Sequence, residues 1–139
     1  MGDYSRSQCR EWALQFLYQG EFAGPPRPEA LERFWDHFQA EGAPPDYLKD
    51  LVEGVASHLE ELDAFIVRYS EHWRLERMTI VDRNLLRVAV YELLYQPDIP
   101  PKVVINEAVE MAKRYGSEAS GGFVNGILDQ VRLSVGREV

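Results

Sequence analysis

Apolar residues recur every three or four positions along almost the whole chain, and this spacing predicts helices rather than strands. The longest series runs from residue 48 to residue 69 and consists of Leu48, Leu51, Val55, Leu59, Leu62, Ile66 and Tyr69. No segment shows the sustained alternation of apolar and polar residues that marks a half-buried strand. Such a chain buries its apolar faces by packing helix against helix, so the sequence predicts an all-α fold.

Prolines and glycines divide this pattern into six or seven predicted helices. The breaks are "GPPRPE" at 24–29, "GAPPD" at 42–46 and "QPDIPPK" at 96–102, because proline does not fit inside a helix. Between residues 48 and 69 the sequence leaves open whether there is one helix or two. Short connections between amphipathic helices favour antiparallel neighbours, so we expect a compact bundle that forms one domain over residues 1–139.

Three further patterns locate particular helices. Thr79, followed three residues later by Asp82, predicts the start of a central helix. The next helix carries an apolar stripe made of Ile105, Ala108, Val109, Ala112 and Tyr115. The first helix has its own stripe, and Tyr18 falls outside it, which makes this side chain a candidate for stacking on a single-stranded base.

The charge of the chain is uneven. The net charge is −8, and residues 21–63 hold eleven acidic and three basic side chains, whereas the rest of the chain holds twelve of each. The simplest interpretation of the acidic segment is a solvated helix surface. An acidic protein repels nucleic acid unless a local basic patch overrides the average.

Two groups of arginines are candidates for such a patch. Arg6 and Arg10 are one turn apart on the first helix, so we expect them to project from the same flank and form a basic spot. The second group consists of Arg68, Arg74, Arg77, Arg83 and Arg87. The alternative is that these arginines lie over the core and pair with the acidic segment. Spacing alone favours that alternative.

No constellation of residues points to catalysis. His37, His58 and His72 lack the spacing of metal ligands, and the chain has no phosphate-binding loop or nucleophile elbow. The grouping "HLEE" at 58–61 is more typical of a helix surface. Cys9 lies on an apolar stripe, which indicates a buried hydrophobic residue. The sequence therefore predicts a binding protein rather than an enzyme, with no cofactor and no metal site.

The sequence also predicts a cytoplasmic protein. No stretch approaches about 18 consecutive apolar residues, which a membrane-spanning helix needs. The N-terminal residues lack the apolar run of a signal peptide. A single cysteine cannot form an internal disulfide, which fits a reducing compartment.

The segment "YGSEASGGFVNGILD" at 115–129 contains four glycines. We expect Gly116 to close one helix in a left-handed conformation, and Ser117 or Ser120 to cap the next. The later glycines then lie inside a helix, where each costs about 1 kcal/mol relative to alanine. Close approach of a neighbouring helix would offset this cost, and so would an anionic group such as a phosphate at the helix start. Phe123 is either a core residue or a platform for a base.

Three stretches together resemble a known family. The stretch "DIPPKVVINEAVEMAKRYGSEASGGFVNGILD" resembles the C-terminal signature of the bacterial transcription antitermination factor NusB family. The stretches "REWALQFLYQ" and "VDRNLLRVAVYELLY" resemble its first and central helices. The resemblance implies two three-helix-like subbundles packed crosswise. It also implies a role in the RNA polymerase antitermination complex on ribosomal RNA operons, through binding of boxA RNA together with NusE, a small-subunit ribosomal protein.

The resemblance also implies site residues. Arg6 and Arg10 match the basic start of the family's first helix, which contacts RNA, and Tyr18 matches its first-helix tyrosine. Phe123 and Asn125 match the FVNG motif near the RNA-facing surface.

Glu76, Asp82 and Arg83 lie in the region that resembles the NusE-facing side, where acidic groups would complement a basic ribosomal protein. The alternative to an RNA-binding factor is a homo-oligomeric protein–protein adaptor, such as a homodimer, without direct RNA contact. The acidic segment and the sparse arginines motivate that alternative.

Overall fold

The computed structural model describes residues 4–23, 28–38, 42–71 and 74–137, apart from the side chains of residues 28 and 38. These ranges contain α-helices, one short 3-10 turn at Leu75–Arg77 and no strand, which confirms the predicted all-α fold. The helices are α1 (Arg6–Ala23), α2 (Pro28–Phe38), α3 (Asp46–Ser57), α4 (Leu59–Tyr69), α5 (Ile80–Tyr95), α6 (Pro101–Tyr115) and α7 (Ser120–Ser134). Most of the predicted break at 24–29 lies outside the described residues, and so does His72.

Helix α5 is the centre of the bundle. It contacts α1, α3, α4, α6 and α7. Apart from their contacts with α5, α1 packs mainly on α3, and both α4 and α6 pack on α7. Its start is the predicted one, since the hydroxyl of Thr79 accepts a hydrogen bond from the backbone N–H of Asp82 at 3.1 Å. Two buried polar side chains of α5 find partners within the protein: Asn84 donates to the carbonyl of Ile80, and Glu92 accepts from Arg10.

The apolar series from residue 48 to residue 69 forms two helices, which settles the open choice. His58 lies between them with φ −116° and ψ 21°, and its N–H donates to the carbonyl of Gly54. Its ring stacks on Tyr95 with centroids 4.2 Å apart. At Gly54 a Cβ atom would lie 2.2 Å from Cζ of Tyr91, so glycine is required for α5 to approach α3 this closely.

Aromatic contacts attach α2 to α1. The ring centroids of Trp12 and Trp35 are 4.9 Å apart, and those of Phe16 and Phe34 are 5.4 Å apart, both edge to face. Cys9 is buried in the same core, where burial raises the pKa of its thiol. Its predicted place as a buried hydrophobic residue is confirmed. None of the described helices is both long and apolar enough to span a lipid bilayer.

Candidate nucleic-acid interface

The two arginines at the start of α1 have different environments. Arg10 is 3% exposed, and its Nε donates to both carboxylate oxygens of Glu92 at 2.9 Å. Its Nη1 donates to Glu107 Oε1 at 3.1 Å. The expectation that Arg10 shares an exposed flank with Arg6 is therefore wrong, because Arg10 lies on the side of α1 that packs on α5 and α6.

Burial and ion pairing compete at this site. Burial alone lowers the pKa of Arg10, but the hydrogen bonds and the negative charge of Glu92 outweigh it and raise the pKa overall. Tyr47 donates its hydroxyl to the same carboxylate, and burial, followed by the charge of Glu92, raises the pKa of Tyr47. We refer to Arg10, Tyr47, Glu92 and Glu107 as the Arg10 cluster. It connects α1, α3, α5 and α6.

Arg6 lies on the surface. Its side chain is 49% exposed, and its Nη2 is 3.0 Å from Oδ2 of Asp98, which is 61% exposed. The guanidinium carbon lies 5.1 Å from the ring centroid of Tyr47. An ion pair as exposed as this one contributes only about 0–1 kcal/mol to stability. Arg6 can therefore exchange its carboxylate for a phosphate at little cost.

In the second group of arginines, two form ion pairs with acidic side chains and three are exposed to solvent. Arg83 pairs with Glu21 at 2.8 Å, and Arg87 pairs with Asp63 at 2.8 Å and with Glu21 at 3.2 Å. Both carboxylates belong to the acidic segment, so the predicted pairing with that segment is confirmed for these two arginines. Burial raises the pKa of Glu21, but hydrogen bonds from Asn84 and Arg83 and the positive charges outweigh it, so its pKa is lowered.

The other members of the group are exposed: Arg68, Arg74 and Arg77. They lie at the end of α4 and around the 3-10 turn. The guanidinium of Arg68 is 5.5 Å from the ring centroid of Tyr69. A cation beside an aromatic ring is a combination that single-stranded nucleic acid can use.

Tyr18 lies on the outer face of α1, as its position outside the apolar stripe predicts, and is 42% exposed. Its ring centroid is 5.6 Å from that of Phe22, which is 71% exposed. Tyr18 also lines a groove of about 350 Å³ together with Val81 and Tyr115. The groove therefore brings together residues from α1, α5 and α6.

The start of α7 differs from both expectations. Gly116 is extended, with φ −98° and ψ −164°, and not left-handed. Its Cβ would lie 2.5 Å from Ser120 Oγ, so glycine is needed for space. The residue before the helix is Ala119, which provides no side-chain cap. Ser120 instead accepts a hydrogen bond from the N–H of Ser117 at 2.9 Å from within the first turn.

Asp82 lies at the contact between α5 and α7. It is 7% exposed, and its Oδ2 accepts a hydrogen bond from Ser120 Oγ at 3.1 Å. A carboxylate at the start of these helices already provides the negative charge that helix N-termini favour. A phosphate placed at the start of α7 would be repelled by this carboxylate, which argues against the second of the two alternatives for the glycines, an anionic group at the helix start.

The glycines inside α7 do not serve close helix packing. A Cβ added at Gly122 or Gly126 would meet nothing within 4 Å among the described residues, and one at Gly121 would make only ordinary contacts. They leave bare backbone on the surface beside Asn125, which is exposed. Phe123 is partly buried and packs against the core.

The residues expected to face the protein partner also differ in how far they are exposed to solvent. Glu76 is exposed on the 3-10 turn, while Asp82 is buried and Arg83 is engaged in its ion pair. Glu76 and Arg83 line one cleft of about 530 Å³, whose apolar lining includes Leu59 and Leu75. In the described part of the chain, no group of three or more His, Cys, Asp or Glu residues is arranged to hold a metal ion.

Two surface residues were missed by the sequence pattern. Tyr115 belongs to the apolar stripe of α6 by spacing, yet it is 40% exposed. Arg114 beside it is 53% exposed and pairs with Glu11 of α1. One feature of the sequence could have indicated their exposure: both residues lie in the last turn of α6, directly before Gly116, where the apolar stripe extends beyond the core.

Comparison with known proteins gives consistent matches. Residues 7–132 match the model of the NusB family. The transcription antitermination protein NusB of Myxococcus xanthus is 49% identical over 137 residues, covering 96% of this chain and 98% of that protein. A NusB structure from T. maritima is 41% identical with a TM-score of 0.80, covering 94% of this chain and 92% of that one. A chain from a crystal structure of antitermination factors NusB and NusE with dsRNA is 29% identical with a TM-score of 0.79, covering 93% and 96%.

Proposed function

The chain belongs to the NusB family, and from this premise we propose that it acts as a transcription antitermination factor. It binds boxA-like single-stranded RNA together with NusE and supports the RNA polymerase antitermination complex on ribosomal RNA operons. The observation that carries the proposal is the match over residues 7–132, combined with the similarity to a structure of NusB and NusE with RNA. The same match supports a single domain with a binding role.

The surface of the molecule supports RNA binding at particular residues. We assign RNA contacts to Arg6, Tyr18, Phe123 and Asn125. Arg6 and Tyr18 are exposed on α1, and Asn125 is exposed on α7. Phe123 offers only the part of its ring that the core leaves open. Arg10 supports the site indirectly, because its buried ion pairs hold α1 in place.

The protein partner is expected at the cleft beside the 3-10 turn. Glu76 presents an exposed carboxylate there, and Arg83 lies at the same cleft. Asp82 does not line this cleft: its carboxylate is buried against Ser120 of α7, and its Oδ1 has no hydrogen-bond partner among the described residues. For a basic partner this side offers the exposed carboxylate of Glu76 and the apolar lining of the cleft, while Arg74 and Arg77 are exposed on either side of Glu76 and would need acidic groups opposite them.

The proposal is tested by titrating boxA-like RNA with the purified chain, in the presence and absence of NusE. We expect NusE to tighten binding to boxA-like RNA, and a scrambled RNA to bind more weakly. Equal binding of both RNAs with no effect of NusE would contradict the proposal. Sedimentation in the same buffers identifies the adaptor alternative, which predicts a stable dimer that ignores RNA.

A further inference from the structure

We infer that Arg114 and Tyr115, at the end of α6, form a further RNA-binding element, and that Glu11 of α1 competes with RNA for it. This inference rests on the proposed function and extends it to residues outside the motif matches. It depends on three observations: the exposure of the arginine, the groove beside the tyrosine, and the double engagement of Glu11.

The first observation is a cation on the surface in a replaceable ion pair. The side chain of Arg114 is 53% exposed, and its partner Glu11 is 29% exposed. Ion pairs this close to water contribute about 0–1 kcal/mol. A phosphate offers the same guanidinium an equivalent acceptor, so exchange of the carboxylate for a phosphate costs little.

The second observation is the aromatic surface beside that cation. The guanidinium carbon of Arg114 lies 5.8 Å from the ring centroid of Tyr115. Tyr115 and Tyr18 line the groove of about 350 Å³, and they are 40% and 42% exposed. Single strands are held by aromatic rings that stack on bases and by adjacent cations that contact phosphates. This combination favours RNA over an acidic protein segment as the occupant.

The third observation is that Glu11 engages both residues. Its carboxylate pairs with Arg114 and also accepts a hydrogen bond from the hydroxyl of Tyr115 at 3.2 Å. In the free protein it therefore neutralises the cation and fixes the tyrosine. RNA binding at this element requires that Glu11 release at least the arginine, so Glu11 lowers the affinity that the element would otherwise provide.

The test uses three variants of the full chain, measured with boxA-like RNA and saturating NusE. For Glu11→Gln we expect two- to fivefold tighter binding, the range that loss of a competing surface ion pair allows. For Arg114→Gln we expect weaker binding and a salt dependence that is shallower by about 0.7 in log–log slope, because one single-strand phosphate contact is lost. In the double variant the gain from Glu11→Gln should disappear.

Asp129→Asn is the control for net charge, since Asp129 is 47% exposed and pairs within α7 with Arg132, which is only 14% exposed. We expect this variant to bind RNA like the wild type. An equal gain in the control, or a gain from Glu11→Gln that persists without Arg114, would mean a general charge effect and would overturn the inference. The inference would also be overturned if the variants at 11 and 114 changed the affinity for NusE and left the affinity for RNA unchanged.

The outcomes also separate the inference from the proposed function. If the wild type binds boxA-like RNA and the variants at 11 and 114 bind equally well, the inference is wrong and the proposed function stands. If the wild type with NusE does not distinguish boxA-like from scrambled RNA, the proposed function fails, and the inference fails with it. Thermal unfolding of each variant checks that the fold is retained.

Discussion

Arg6 and Arg10 are one turn apart on α1 and carry the same side chain, yet the structure gives them opposite roles. Arg10 is 3% exposed and bonded to Glu92, which is 1% exposed. Arg6 is 49% exposed and bonded to Asp98, which is 61% exposed. Access to water therefore decides whether an arginine on α1 holds the helices together or remains available to a ligand.

The physical reason is the cost of removing charges from water. In the buried pair both ions have lost their hydration, so each depends on the other, and removal of one leaves an uncompensated charge. In the exposed pair water replaces a lost partner at once. The Arg10 cluster therefore holds helices together, whereas the exposed pairs at Arg6 and Arg114 remain open to exchange with a ligand.

The largest effect is expected for Arg10→Met, which leaves the carboxylate of Glu92 buried without its arginine. We expect a loss of about 3–5 kcal/mol in the free energy of unfolding, measured with urea. Arg6→Met is the control and should cost less than about 1 kcal/mol. Comparable losses at the two positions would refute the contrast between them.

A double replacement sharpens this test. Arg10→Met combined with Glu92→Leu removes both buried charges and should recover part of the stability that Arg10→Met loses, because no unpaired ion remains. Tyr47 then loses its acceptor, so full recovery is not expected. If the double variant is less stable than Arg10→Met alone, an unpaired charge is not the main cost.

Glu21 represents an intermediate case, since its side chain is 22% exposed and pairs with Arg83 and Arg87. We expect Glu21→Gln to cost about 1 kcal/mol at pH 7. The pKa of Glu21 is lowered in the folded state. Its contribution is therefore present above the ordinary glutamate pKa of about 4.3 and is lost as the pH falls through the lower folded value.

Urea unfolding at several pH values between 7 and 3 measures this dependence. The difference in stability between wild type and Glu21→Gln should shrink towards the acidic end. A difference that stays constant over this range would show that the stabilisation does not come from the ionised carboxylate.

The smallest effect on stability is expected at the exposed pair. Asp98→Asn should change the free energy of unfolding by less than about 1 kcal/mol, while RNA binding with NusE tightens about two- to fivefold, because Arg6 loses its competing carboxylate. Glu53→Gln removes the same charge from an exposed position on α3 and serves as the control. If both variants bind RNA more tightly by the same factor, the gain comes from the change in net charge and not from the release of Arg6.

Local sequence patterns predicted the features that depend on neighbours within one helix. Thr79 and Asp82 form the predicted helix start, Cys9 is buried, and Tyr18 is exposed. The patterns failed where a second helix decides. Arg10 turns towards Glu92, and Gly116 accommodates Ser120. For the series from 48 to 69 the pattern left the choice open, and the structure breaks it at His58.

The candidate site shows the same division. The motifs identified the residues that resemble those of the family, but they did not distinguish exposed from buried members. Asp82 and Phe123 illustrate this, since one is buried against Ser120 and the other is partly packed in the core. Arg114 and Tyr115 became candidates only through features that packing creates: their exposure, the groove shared with Tyr18 of α1, and the contact with Glu11.

The amino-acid sequence alone was enough to show that the chain is helical, that a central helix begins after Thr79, and which family the chain belongs to, because periodicity, caps and motifs are encoded in local order. Only the tertiary structure decided which charges face water and which face each other. The free energy of a charge depends on solvent and on partners distant in sequence, and both are set when α1, α5 and α6 pack together.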